Sequence, residues 1–165
     1  MTKSGQSGRP GRKRAQKISG TFVVHTYERL KSPAWHALSP ASLRILSRLE
    51  QEYLSHGRTT NGDLICTYDD FQKCGIRRDI AARLLRECEA LGFLAIGRGY
   101  SGLANACEPN RYRLTYEPAN NDKATNEWQN ISTLEDARAL AKKARETLST
   151  RHYRPSYNSK RLRAA

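Results

Sequence analysis

The 165-residue sequence contains no run of the roughly 18 apolar residues that a membrane-spanning helix needs, and no apolar stretch of signal-peptide type near its start. A cytoplasmic, nucleoid-associated location is therefore expected, with no membrane partner. Cysteine is scarce: Cys66, Cys74, Cys88 and Cys107 form no Cys-x-x-Cys pair, and the four histidines do not stand at zinc-finger spacing beside them. No metal site is expected, and the cysteines read as small buried apolar groups or free thiols. No Ser, His and Asp grouping, phosphate-cradling glycine loop or carboxylate cluster stands out, so neither a cofactor nor an enzymatic activity is expected. Gly97-x-Gly99-x-x-Gly102 has dinucleotide-like spacing but follows a strand without opening a helix. Internal repeats are absent as well, which argues against a solenoid.

Acidic residues are missing where they matter most. Residues 1–19 hold six Lys or Arg and residues 151–165 hold five, and neither stretch has an Asp or Glu. The net charge is +13. Residues 20–116, however, carry 13 basic groups against 10 acidic ones, and residues 117–150 carry five against six. Most of the excess thus lies in the tails, where it favours a polyanion through attraction and counterion release. The N-terminal arm has almost nothing large and apolar and is expected to be disordered alone. Within it, Gly8-Arg9-Pro10-Gly11-Arg12-Lys13-Arg14 is similar in part to the AT-hook, which lies along an A·T-rich minor groove. The other reading is a solvated basic arm that scans phosphates through Arg9, Arg12, Lys13 and Arg14.

The middle of the chain alternates in period. Phe22-Val23-Val24 is β-prone, and Tyr27 to Leu30 reads as one helical turn ending near Ser32-Pro33. Ser39-Pro40 supplies an N-cap with proline at the first helical position, and Leu43, Ile45, Leu46, Leu49 and Tyr53 then lay an apolar stripe over about 40–55. Turn residues 56–62 follow, then a brief strand at 64–67. Thr67, with Asp70 three residues on, opens a short helix that stops at Cys74-Gly75. A second helix over 78–91 points Ala81, Leu84, Leu85, Cys88 and Leu91 inward, leaving Arg77, Arg78, Ala82, Arg83 and Arg86 outside. Strands at 93–96 and 110–116 enclose a glycine-rich tip with Arg98 and Tyr100, and Arg111 begins the return. Trp35 and Tyr53 read as core residues.

Beyond this unit, 117–132 reads as a linker and 133–150 as a helix capped by Thr133. Its stripe of Leu134, Ala137, Leu140, Ala141, Ala144 and Leu148 needs a cover, either its own domain or a second protomer in a homodimer. The tail 151–165 is basic and expected to be disordered.

Helix, glycine turn and an arginine-faced helix followed by a hairpin resemble the bacterial winged helix-turn-helix regulators, especially those of phage, plasmid or integrative-element origin. The resemblance spans about Phe22–Tyr116 and is carried by three blocks: Gly75 through Asp79 and on through Leu85 to Leu94, Leu30 through Ser39, and Tyr112 through Tyr116. Arg77 departs from the Ser or Thr usual after the Gly-Ile of the turn, leaving Asp79 as a partial cap. It implies a fold of α+β class, mostly α, with a winged domain over 20–116, a recognition helix about 78–91 and a wing about 97–110. The implied partner is double-stranded DNA, read by Arg77, Arg78, Ala82, Arg83 and Arg86 and by wing residues Arg98, Tyr100 and Arg111. Transcription regulation is the expected role. The alternatives are a replication-initiation or excision accessory factor, and a basic RNA- or ribosome-binding protein. The bland reading of the arginines, pairing with Glu87 and Glu89 on a solvated face, stands beside these.

Overall fold

A computed structural model describes residues 19–99, 108–119 and 122–147. Two short helices come first, α1 (Tyr27–Lys31), capped by the Thr26 hydroxyl, and α2 (Pro33–Ala37), capped by Ser32. The helix α3 (Pro40–Ser55) starts where expected, the Ser39 hydroxyl accepting from Ser42 N while proline takes a position whose N–H would have no partner. Ile45, Leu46, Leu49 and Tyr53 are its buried stripe.

A two-residue strand β1 (Leu64–Ile65) leads into α4 (Tyr68–Lys73). Its capping box is complete: Thr67 Oγ1 accepts from Asp70 N, and the Asp70 carboxylate accepts from Thr67 N at 3.0 Å and from its hydroxyl at 2.7 Å. Gly75 then takes φ +77°, a left-handed turn that a β-carbon disfavours, and α5 (Arg78–Ala90) begins three residues later. Strands β2 (Leu94–Gly97) and β3 (Arg111–Leu114) pair antiparallel, and β3 also takes β1, giving the sheet order β1-β3-β2. Tyr112 faces both Leu64 and Ile96, so one residue of β3 sets both registers. The fold is α+β, with α3 and α5 packed on one small antiparallel sheet and a core running from Ile45 and Phe71 through Leu85 to Phe93 and Leu114.

Two expectations change. The stretch 117–132 is not a spacer. Glu127–Asn130 forms a 3-10 turn that buries Trp128 against Phe93, rings stacked 8° apart at 6.4 Å, and Asn126 N donates to Thr115 O. The approach is so close that a β-carbon on Gly92 would meet Trp128 N at 2.6 Å. The final helix, α6 (Leu134–Glu146), then lies against α5 and α2 and buries Ala137 and Ala141 there. Its own chain covers Ala137 and Ala141 of the apolar stripe, whereas Leu140 is exposed and Leu148 lies outside the described residues. A third difference is smaller: Phe22-Val23-Val24 joins no strand, and only Val23 packs on the core. The basic tails, except for Ser19, lie outside the described residues, as does Cys107.

Replacing Trp128 by Ala should destabilise the whole unit by about 3–5 kcal/mol in urea unfolding, the usual cost of removing a buried tryptophan. A loss under about 1 kcal/mol would return 117–132 to the status of a linker. The α4 cap supplies a pH test. Hydrogen bonds from the Thr67 hydroxyl and backbone hold Asp70 down at about 2, below its ordinary value, so its contribution is complete above about pH 4 and fades as pH falls toward 2. Asp70→Asn should therefore cost about 1 kcal/mol at pH 7, with the gap to the parent closing over that acid window.

Candidate nucleic-acid interface

The face of α5 is defined by what its two flanks touch. Glu87 and Glu89 are two residues apart and so point about 200° from each other around the helix. Glu89 reaches the hairpin, accepting from Arg98 Nη2 at 2.9 Å. Glu87 turns the other way and is fully buried. It accepts from Ser39 N at 2.7 Å and lies 3.0 Å from Arg145 of α6. Between these flanks the surface strip of α5 carries Arg78, Ala82 and Arg86 at successive i+4 steps, with Asp79 and Arg83 beside them.

Not every member of the strip is available. Arg86 is half-buried, and its Nε donates to Ala144 O at 3.1 Å. That carbonyl is among the last four of α6 and has no partner within the helix, so the guanidinium closes the C-terminus of α6 and complements its dipole. Sequence periodicity gave Arg86 an outward direction, away from the apolar stripe of α5, and it is α6 that receives it there.

The remaining predicted residues fall as follows. Arg77 stands at the N-cap of α5 without capping it, and its Nε and Nη2 donate to Asp79 at 3.1 and 2.8 Å. The Asp79 side chain is thereby engaged by Arg77, and no side-chain cap forms at all. Arg78 Nη1 donates to Asp69 of α4, and its guanidinium lies 5.8 Å from the Tyr68 ring centroid. Ala82 is half-buried, and Arg83 is exposed with no carboxylate partner among the described residues. In the hairpin, Arg111 pairs with Gly97 across β2 and β3, which puts Arg98 and Arg111 at the same end, and Arg111 Nη1 donates to Asp63 at 2.9 Å. Tyr100 and the arm residues Arg9, Arg12, Lys13 and Arg14 lie outside the described residues.

One cation was missed. Arg44 is exposed on α3, and its Nη1 lies 3.8 Å from where a β-carbon of Gly75 would stand, so it overhangs the α4–α5 turn. Its position one step off the buried stripe of α3 was the available signal. Two of the thiols are buried away from this face: burial pushes Cys66 up to about 12 and raises Cys88 further, and Cys88 donates to Ser42 O. Chemically, the assembled surface offers planar forked donors on two elements, the start of α5 and the hairpin.

Removing the Arg86 side chain should loosen α6 specifically. Arg86→Ala is expected to accelerate proteolytic cleavage within 134–147 and to cost about 1 kcal/mol, one net hydrogen bond, whereas Arg83→Ala leaves both unchanged. Equal protection of α6 in parent and Arg86→Ala would contradict the capping role. The chain matches no family model, and no curated protein or solved structure matches it either, so any function has to be argued from these residues.

Proposed function

We propose that the chain binds double-stranded DNA through a winged helix-turn-helix unit, with α5 entering the major groove and the β2–β3 hairpin acting as the wing. The element order α3, β1, α4, α5, β2, β3 and the sheet order β1-β3-β2 are compatible with that fold. The observation that carries the proposal is the first two turns of α5. Arg77, Arg78 and Arg83 are all exposed there, on a helix that begins just after a glycine turn, with Arg98 of the hairpin at its other end.

The geometry favours reading by the N-terminal half of α5. There Arg78 and Arg83 are exposed and Ala82 is half-buried between them, while α6 occupies the flank near Arg86 and Glu87. An arginine fork matches guanine N7 and O6, and a small Ala82 leaves room for a thymine methyl. Exposed Arg44 and the hairpin arginines suit flanking phosphates. The tails, with eleven cations and no acid, add sequence-independent grip. A single-stranded RNA platform is less well supported: the one aromatic in the described strands, Tyr112, is buried and presents no ring for base stacking. A regulator of a mobile element is the role the family resemblance suggests; replication or excision would use the same surface.

In binding assays with the full chain, Arg78→Ala and Arg83→Ala should each weaken a duplex selected from genomic fragments by about 1–3 kcal/mol, and random duplex by much less. Equal losses on both duplexes would mean phosphate contact only. No loss on either would remove α5 from the interface. The genomic position of the selected fragments, beside promoters, an origin or an attachment site, separates the roles.

A further inference from the structure

Four arginines of this surface are paired with acids rather than left to solvent. Arg77 is held by Asp79, Arg78 by Asp69, Arg98 by Glu89 and Arg111 by Asp63, four separate pairs on four separate arginines. The acids come from different elements: Asp79 and Glu89 from the two ends of α5, Asp69 from α4, and Asp63 from the turn before β1. Every arginine in the four pairs is more than half exposed, so these are surface pairs that water and salt weaken. They are too weak to be needed for folding and are placed where a duplex would approach. Arg83 alone among the exposed arginines of α5 has no such partner.

We infer that Asp63, Asp69, Asp79 and Glu89 are specificity-determining residues, an electrostatic gate that occupies Arg77 and Arg78 at the start of α5 and Arg98 and Arg111 beside it until a matching site displaces the acids; this rests on the DNA reading above. A passing phosphate offers a guanidinium little more than the carboxylate already gives it, and brings its own repulsion from the acid left alongside. A guanine edge offers two aligned acceptors without a formal charge, so the displaced carboxylate opposes it less. The gate therefore taxes sequence-independent contact more than matched contact. It also divides the labour with the tails, whose cations have no acid near them in sequence and bind phosphates unopposed.

The test uses the full chain carrying Asp63→Asn, Asp69→Asn, Asp79→Asn and Glu89→Gln together. A charge-matched control carries Glu28→Gln, Asp122→Asn, Glu135→Gln and Glu146→Gln, exposed acids that form no ion pair among the described residues. Both are titrated with a random-sequence 20-base-pair duplex and with a duplex selected from genomic fragments, at several salt concentrations. The gate variant should bind random duplex at least tenfold more tightly than the control. Its salt dependence should steepen by about 0.9 in log–log slope for each freed arginine that meets a phosphate, and its preference for the selected duplex should fall at least tenfold. Equal gains in variant and control would reduce the effect to net charge and overturn the gate. So would an unchanged preference. If neither parent nor variant binds any duplex, the DNA reading falls and the gate with it, an outcome distinct from a parent that binds and a variant that behaves like it. Should the fourfold variant melt early, Asp69→Asn with Glu89→Gln, on separate helices, should give about half the change in slope.

Discussion

Glu87 is the joint on which the arrangement of the helices depends. A carboxylate with no solvent exposure is costly unless its oxygens are filled, and here they accept from the first free N–H of α3's entry and face the guanidinium of Arg145. Three helices therefore meet at one side chain. Ser39 caps α3 with the same hydroxyl that lies 3.3 Å from Glu87, so the cap and the buried carboxylate reinforce each other's geometry. Breaking one partner would leave an uncompensated charge in the interior, a larger penalty than losing an equivalent surface pair.

That joint has a consequence for the outer face of α5. Because Glu87 draws α6 to one flank and Glu89 ties the hairpin to the other, the exposed strip between them is narrow and its direction is fixed. The strip ends where Arg86 turns to the last carbonyls of α6. On the proposed reading, base contact would then be concentrated in the first turns of α5, with the side that α6 covers kept from the groove. The exposed start of α5 carries Asp79, whose charge suits the helix dipole but opposes phosphate. Stability at that terminus and indiscriminate anion binding pull against each other.

The sequence made the regular parts legible because they obey short-range rules. Ser39-Pro40, the Thr67 and Asp70 box, Gly75 and the Ala81 to Leu91 stripe each signal within one or two turns, and α3, α4 and α5 start at those signals. What stayed hidden depends on partners far along the chain. Trp128 is one aromatic in a polar stretch, and nothing local reveals the Phe93 ring it stacks on. Arg29 looks like a surface cation of α1, yet it is 1% exposed, with its guanidinium 3.8 Å from the Tyr116 ring centroid and donating to Val24 O. Glu87 fell on the margin between the apolar and polar faces of its helix, where periodicity cannot separate a solvated acid from a buried one.

These long-range contacts also explain why a count of charges misleads about the folded unit. The acids within 20–116 are not spread as diluent: Glu87 is consumed in the interior, Asp70 in a cap, and Asp63, Asp69, Asp79 and Glu89 on individual arginines. A nearly balanced domain is thus compatible with a surface rich in forked donors, four of them restrained by a neighbouring acid. Tails without acids have no such restraint. If the chain reads DNA, tight binding and accurate binding then have different physical sources, the first in unopposed charge at the ends and the second in donors that must be released from a partner before they can be used.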